Sequence, residues 1–105
     1  MELRSGTEVQ YNFDWNPARA RENLRKHGIS FERATQVFLD PFAISIYDEE
    51  HSDEEDRWVT LAKDKSETLL VVSHTFRELD LENYSIRLIS ARRVTRREGK
   101  QYAKR

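Results

Sequence analysis

The sequence predicts a small α+β domain in which two N-terminal helices and one C-terminal helix pack on one face of a mostly antiparallel sheet of four to five strands. Three observations lead there. Cap and stop residues bracket helical spacing up to Phe38, the apolar period changes to two or to short apolar runs between Phe42 and Ser90, and helical composition returns from Thr95.

Val9, Tyr11 and Phe13 alternate with Gln10 and Asn12, which reads as a short first strand. Asn16 is a good N-cap and Pro17 suits a first helical turn. Gly28 stands where a left-handed residue ends a helix, after the basic turn Arg25-Lys26-His27, so a helix is expected over 17–27. Ser30 caps a second helix that carries Phe31, Ala34, Val37 and Phe38 on one side, and Asp40-Pro41 stops it. Four strands follow in FAISIY, RWVTLA, TLLVVSHTF and YSIRLIS. EEHSDEED joins the first two, KDKSE the next pair as an antiparallel hairpin would, and FRELDLEN the last pair. In the final helix Val94, Glu98 and Tyr102 recur at steps of four and share a side, while Gly99 weakens it by about 1 kcal/mol relative to alanine. Residues 1–8 read as a loose polar extension and 9–105 as a single domain.

A chain of 105 residues supports one modest core, and 35% charged residues put it on the polar side of globular composition. Cysteine is absent, which excludes disulfides and thiolate metal sites. No apolar run approaches the ~18 residues of a membrane span, and MELRSGTEVQ lacks the apolar core of a secretory signal. A cytoplasmic protein without membrane contact is expected. With glycine only at 6, 28 and 99, no phosphate loop can form, and paired histidines at metal spacing are missing, so neither a cofactor nor a metal is expected. The acidic loop lacks the spacing of an EF-hand and reads as solvated.

The formal net charge of −1 hides a dipolar chain. Arg92, Arg93, Arg96, Arg97, Lys100, Lys104 and Arg105 face one carboxylate, Glu98, in the last fourteen residues, whereas residues 48–56 hold seven carboxylates. A solvated helix side and contact with a polyanion both fit the basic block. Arg92 and Arg93 directly follow a strand that fixes their backbone, and the guanidinium fork takes two phosphate oxygens at once. His74 shares a strand side with Leu70, Val72 and Phe76, as a partly buried hydrogen-bonding residue or a proton carrier. Arg77 lies just past that strand, an ordinary loop arginine or one reaching a cleft. Lys26 and His27 suit the negative end of the first helix dipole on structural grounds alone. Glu98 and Tyr102 lie on one helix side, for local ion pairing, for orienting Arg92 or Arg93, or for proton transfer.

Several separated stretches resemble one family. FDWNPARARENLRKHGISFERATQVFLDP, RWVTLA, VVSHTFR and IRLISARRVTRREGKQY are similar, in that order, to the BrnT-type toxins of bacterial type II toxin-antitoxin systems, over about Phe13 to Tyr102. The resemblance implies a RelE-like fold and a metal-independent endoribonuclease that inhibits translation and arrests growth. It also implies neutralisation by a cognate BrnA-type antitoxin in a complex of two toxin and two antitoxin chains, which reaches operator DNA through the antitoxin. Carried over, the matching polar residues are Lys26 and His27, His74 and Arg77, Arg92, and Glu98 with Tyr102. Residues 1–8 exceed the family's usual start.

Cleavage of RNA by the ribose 2′-hydroxyl needs cations on the phosphorane, a proton acceptor and a donor to the leaving 5′-oxygen. On this reading Arg77 and Arg92 clamp the phosphate, Lys26 adds charge, and Glu98, His74 or Tyr102 carries the proton. His27, Arg93, Arg96 and Arg97 contact RNA. A second reading is a catalytically weak module that holds an antitoxin and supports operator repression.

Overall fold

A computed structural model describes residues 9–104, so the expected extension at 1–8 and Arg105 lie outside the described residues. The elements run β1 (Gln10–Trp15), α1 (Pro17–His27), α2 (Phe31–Ala34) continued by a 3-10 turn (Thr35–Leu39), and β2 (Ile44–Tyr47). A 3-10 turn at Glu49–His51 then precedes β3 (Arg57–Lys63), β4 (Leu69–Thr75), β5 (Arg77–Glu78), β6 (Asn83–Arg93) and α3 (Arg96–Ala103).

The helix ends are those the sequence marks. The Asn16 side chain accepts the backbone N–H of Ala18 and Arg19, and Gly28 takes φ 69° to close α1. Ser30 caps α2 through Arg33 N–H. Thr95 and Glu98 form a reciprocal capping box on α3. The expected second helix keeps one α turn before tightening to 3-10 geometry ahead of Pro41.

The sheet order is β1-β6-β4-β3-β2, with β5 pairing β6 beyond the end of β4. It has six strands and is mixed, because β1 runs parallel to β6 with Phe13 opposite Ile86, while the other pairs are antiparallel. The expected hairpin of β3 with β4 forms, and β2 pairs antiparallel with β3 across the acidic loop. β5 was not expected, since two residues are too few to show a period.

The helices do not lie on one face. α1 and α2 cover the side that presents Ala62, Leu70, Val72, Ile86, Leu88 and Ala91, whereas Tyr102 of α3 packs on Leu61 and Val71 from the opposite side. Adjacent positions 61, 62, 70, 71 and 72 are all apolar, so both sides of the central strands need a cover. A register shift at Ser73/His74 keeps Ile86, Leu88 and Ala91 in one layer despite their uneven spacing.

Two polar contacts fasten the helical layer. The buried Asn23 amide donates to Ile29 O at 2.9 Å and Ala91 O at 2.8 Å, and its carbonyl accepts Ala91 N–H at 3.0 Å. Every strong group of that side chain is engaged, and α1 is thereby locked to β6. Arg33 joins α2 to the β3–β4 turn through Asp64 at 2.6 Å.

Candidate nucleic-acid interface

On the α3 side of the sheet the apolar cover ends partway along the strands. Beyond Leu61 and Val71 the same side presents Ser73 and Thr75 of β4 and Ser90 and Ser85 of β6, by the strand alternation that the register imposes. These short hydroxyl side chains floor an open polar surface. At its far end lies a cleft of about 430 Å³ bounded by Asp14, Glu55, Thr75, Arg77, Ser85 and Arg87.

The cleft is organised by charge. Arg87 pairs with Glu55, and Arg57 stands 3.7 Å from the same carboxylate oxygen. The Arg57 Nε is buried and has no hydrogen-bond partner among the described residues. Thr75 Oγ1 accepts the Arg87 backbone N–H at 3.0 Å, bridging the break between β4 and β5. Arg77 is exposed on β5, opposite Ser85. Asp56 accepts the Tyr47 hydroxyl at 2.9 Å. Two guanidiniums and a carboxylate held between arginines therefore share one solvent-open space, with hydroxyls beneath them. Such a set can bind a phosphodiester and move a proton.

The joint clamp expected of Arg77 and Arg92 does not form within one chain. Arg77 registers with Ser85 at one end of β6 and Arg92 with Val71 at the other, and the intervening strand spans roughly 23 Å at ~3.3 Å per residue. Arg92 instead meets Glu98 at two points, both 2.9 Å. The guanidinium holds the Glu98 carboxyl down to about 2, and the carboxylate raises the Arg92 pKa in turn. Arg92 and Glu98 anchor α3 to the sheet.

The remaining expected residues are scattered. Tyr102 is buried, and its hydroxyl donates to Asp40 Oδ2 at 2.7 Å, an oxygen that also accepts Lys63 N–H at 2.8 Å. Lys26 and His27 are exposed at the end of α1, in the other helical layer. Arg93 is exposed, registering with Leu70 and so facing away from the cleft side. Arg96 and Arg97 line a shallow basic depression on α3 with Lys100 and Lys104.

His74 is fully buried rather than partly so, on the α1/α2 side with Leu70 and Val72 as expected. Its Nδ1 donates to Thr75 O at 2.7 Å, its Nε2 meets Thr60 Oγ1 at 2.6 Å, and Phe38 packs edge-on at 4.8 Å. Burial pushes its pKa down, which the Nδ1–H···O=C bond only partly offsets. It is a neutral imidazole with both nitrogens occupied.

Arg87 and Glu55 were not among the sequence candidates. Arg87 was readable, as a cation in mid-strand on the side opposite Ile86 and Leu88. Glu55 was not, because the loop expected to be wholly solvated brings this one carboxylate inward through a tertiary contact.

The family profile described as "Ribonuclease toxin, BrnT, of type II toxin-antitoxin system" matches residues 15–98. The chain belongs to this family. The matched span of the BrnT family includes α1, every strand but most of β1, the cleft residues Glu55, Arg77 and Arg87, and the Arg92–Glu98 pair. Among solved structures, the ribonuclease toxin BrnT of Brucella abortus, determined at 1.1 Å, is similar with a TM-score of 0.56 and 20% identity. The similarity covers 83% of this chain and 100% of that one. At that identity the likeness is one of fold. A search of curated proteins gave no match.

Proposed function

We propose that this BrnT-family chain is a RelE-like, metal-independent endoribonuclease whose active site is the cleft around Arg77, Arg87 and Glu55. One observation carries the reading: the open side of the sheet gathers two guanidiniums and an arginine-held carboxylate above a floor of hydroxyls. Glu55 takes the proton of a ribose 2′-hydroxyl, the 2′-oxygen bonds to phosphorus, and the 5′-oxygen leaves with a proton from water at the open mouth. Arg77 and Arg87 hold the non-bridging oxygens as charge accumulates. Of the residues expected to carry the proton, His74, Glu98 and Tyr102 serve the fold rather than the cleft, since each is engaged internally.

The cleft itself also holds Asp14 and Asp56, so long-range attraction of RNA comes from elsewhere. Arg96, Arg97, Lys100 and Lys104 on α3 share the cleft's side of the sheet and supply it, with Arg93 and Lys26 adding to the field from the other layer, where His27 is a further hydrogen-bonding contact. Cleavage of cytoplasmic RNA then inhibits translation and arrests growth. The test is chemical: RNA incubated with the purified chain gains 2′,3′-cyclic phosphate and 5′-hydroxyl ends. Ends of another kind would reject the 2′-hydroxyl route.

A type II toxin has an antitoxin partner, and we assign it a BrnA-type chain in a two-plus-two complex that binds operator DNA through the antitoxin. One edge strand of the sheet is β2, which carries the exposed Ile46, and the chain leading into it exposes Leu39 and Phe42. That edge favours the holding role as well as the catalytic one. Growth arrest by the chain alone separates the two readings, because a module that only holds its antitoxin is harmless when expressed without it.

A further inference from the structure

A second cavity, of about 340 Å³, lies on the opposite side of the same strands. Its walls are rings: Tyr11 of β1, Phe38 of the 3-10 turn, Trp58 of β3, and Phe76 between β4 and β5. A polar chain reaches it from below, running Ser45 Oγ to Thr60 Oγ1 at 2.7 Å, Thr60 Oγ1 to His74 Nε2 at 2.6 Å, and His74 Nδ1 to Thr75 O at 2.7 Å.

The direction of that chain is determined by its last member. A backbone carbonyl only accepts, so Nδ1 carries the proton and the neutral ring's Nε2 accepts from Thr60. Thr60 has one proton and has given it to the imidazole, so Ser45 donates to Thr60. The Ser45 oxygen, which is exposed and lines the cavity, then offers its lone pairs to whatever enters. The cavity is thus walled largely by aromatic rings and presents the Ser45 oxygen as an acceptor, with the Asp40 carboxylate also on its lining.

Phe76 borders both this cavity and the Arg77 cleft. It interrupts β4 and β5, with Thr75 and Arg77 turned to the cleft, and consecutive Cα atoms are only ~3.8 Å apart. A phosphate at Arg77 and a planar ring against Phe76 are therefore within the span of one nucleotide. Resting on the ribonuclease reading above, we propose that the aromatic cavity is a nucleobase subsite. A base next to the scissile phosphate stacks on Trp58 and Phe76 and gives an amino or imino hydrogen to Ser45 Oγ. Stacking accepts any base, and the acceptors at Ser45 and Asp40 grade them by the donor they present, so this subsite determines where the RNA is cut. His74 acts here as a positioning residue, through the proton that fixes the direction of the chain.

The experiment uses nucleosides, which carry no phosphate and so report on the cavity independently of the arginines. Uridine, cytidine, adenosine and guanosine are titrated into isotope-labelled full-length protein while the Trp58 indole N–H and the Ser45 amide are followed by NMR. At least one nucleoside should shift both signals. Phe76→Ala, a change at a partly exposed ring, should weaken that binding by about tenfold or more with an unchanged melting midpoint, while Arg77→Ala should leave it within about twofold. Uridine should bind more tightly than 3-methyluridine, and adenosine more tightly than its N6-dimethyl form, in the parent but not in Ser45→Ala. Silence of both signals up to about 10 mM of all four nucleosides overturns the subsite, as does equal binding to Phe76→Ala. RNA cut without base preference while the nucleosides stay silent rejects the subsite and leaves the ribonuclease reading standing. Nucleoside binding with RNA left intact supports the subsite and rejects the ribonuclease reading.

Discussion

The Arg92 guanidinium and the Glu98 carboxylate meet at two points, Nη1 to Oε1 and Nη2 to Oε2, each at 2.9 Å, across the turn from β6 to α3. Glu98 also accepts the Thr95 backbone N–H at 2.8 Å. One carboxylate therefore closes the helix cap and fastens the helix to the sheet.

That pair makes stability depend on acid. The folded pKa of Glu98, about 2, lies below its ordinary 4.5, so its contribution is full above about 4.5 and is lost as the pH falls toward 2. Because the Arg92 side chain is 40% exposed, solvent screening reduces the contribution to about 1–2 kcal/mol. Urea unfolding from pH 6 to pH 2 should show a shallower pH dependence in Glu98→Gln than in the parent. Parallel curves would mean that the pair is not coupled to folding.

Arg77→Ala and Arg87→Ala should each lower RNA cleavage by about 10²–10³, the usual loss for one group stabilising transition-state charge. Arg92→Ala should instead lower the melting midpoint, with cleavage per folded molecule changing little. Single-turnover rates normalised to the folded fraction from circular dichroism separate the two. A cleavage defect in folded Arg92→Ala as large as that of Arg77→Ala would return Arg92 to the active site.

Glu55→Gln preserves size and removes the base. kcat should fall by about 10²–10⁴ with KM nearly unchanged. If Glu55 only shields Arg87 and Arg57, the same change exposes the cations, and RNA binding and cleavage rise instead.

His74 gives a second pH window. Burial places its folded pKa below the ordinary 6.5, so the neutral ring's contribution is full above about 6.5 and declines as the pH falls below it toward the folded value. His74→Asn should remove this dependence between pH 7.5 and 5 while lowering overall stability by about 2–4 kcal/mol, the cost of an unsatisfied buried site. An identical slope in the variant would assign the effect to another group.

Much of the fold was legible in local chemistry. Asn16, Gly28, Ser30 and Thr95 mark helix ends through their own backbone geometry and hydrogen bonds, which depend on a few neighbouring residues. The alternation around Leu70, Val72 and His74 likewise set a strand face correctly. The candidate site was legible only in part. Arg77 was singled out and lies in the cleft, but a row of cations near Arg92 could not reveal that Glu98 neutralises one of them, nor that Lys26 stands in the other layer.

Caps, periods and motifs are local properties of the chain, and they carry every main element except the two-residue β5, the family, and the positive charge on the last helix. The parallel pairing of β1 with β6, the position of α3 opposite α1 and α2, and the reach of Glu55 to Arg87 are set by packing between distant segments. Those outcomes arise from pairing between distant segments: two-sided apolar strands require covers on both faces, and the register along β6 sets Arg77 and Arg92 roughly 23 Å apart.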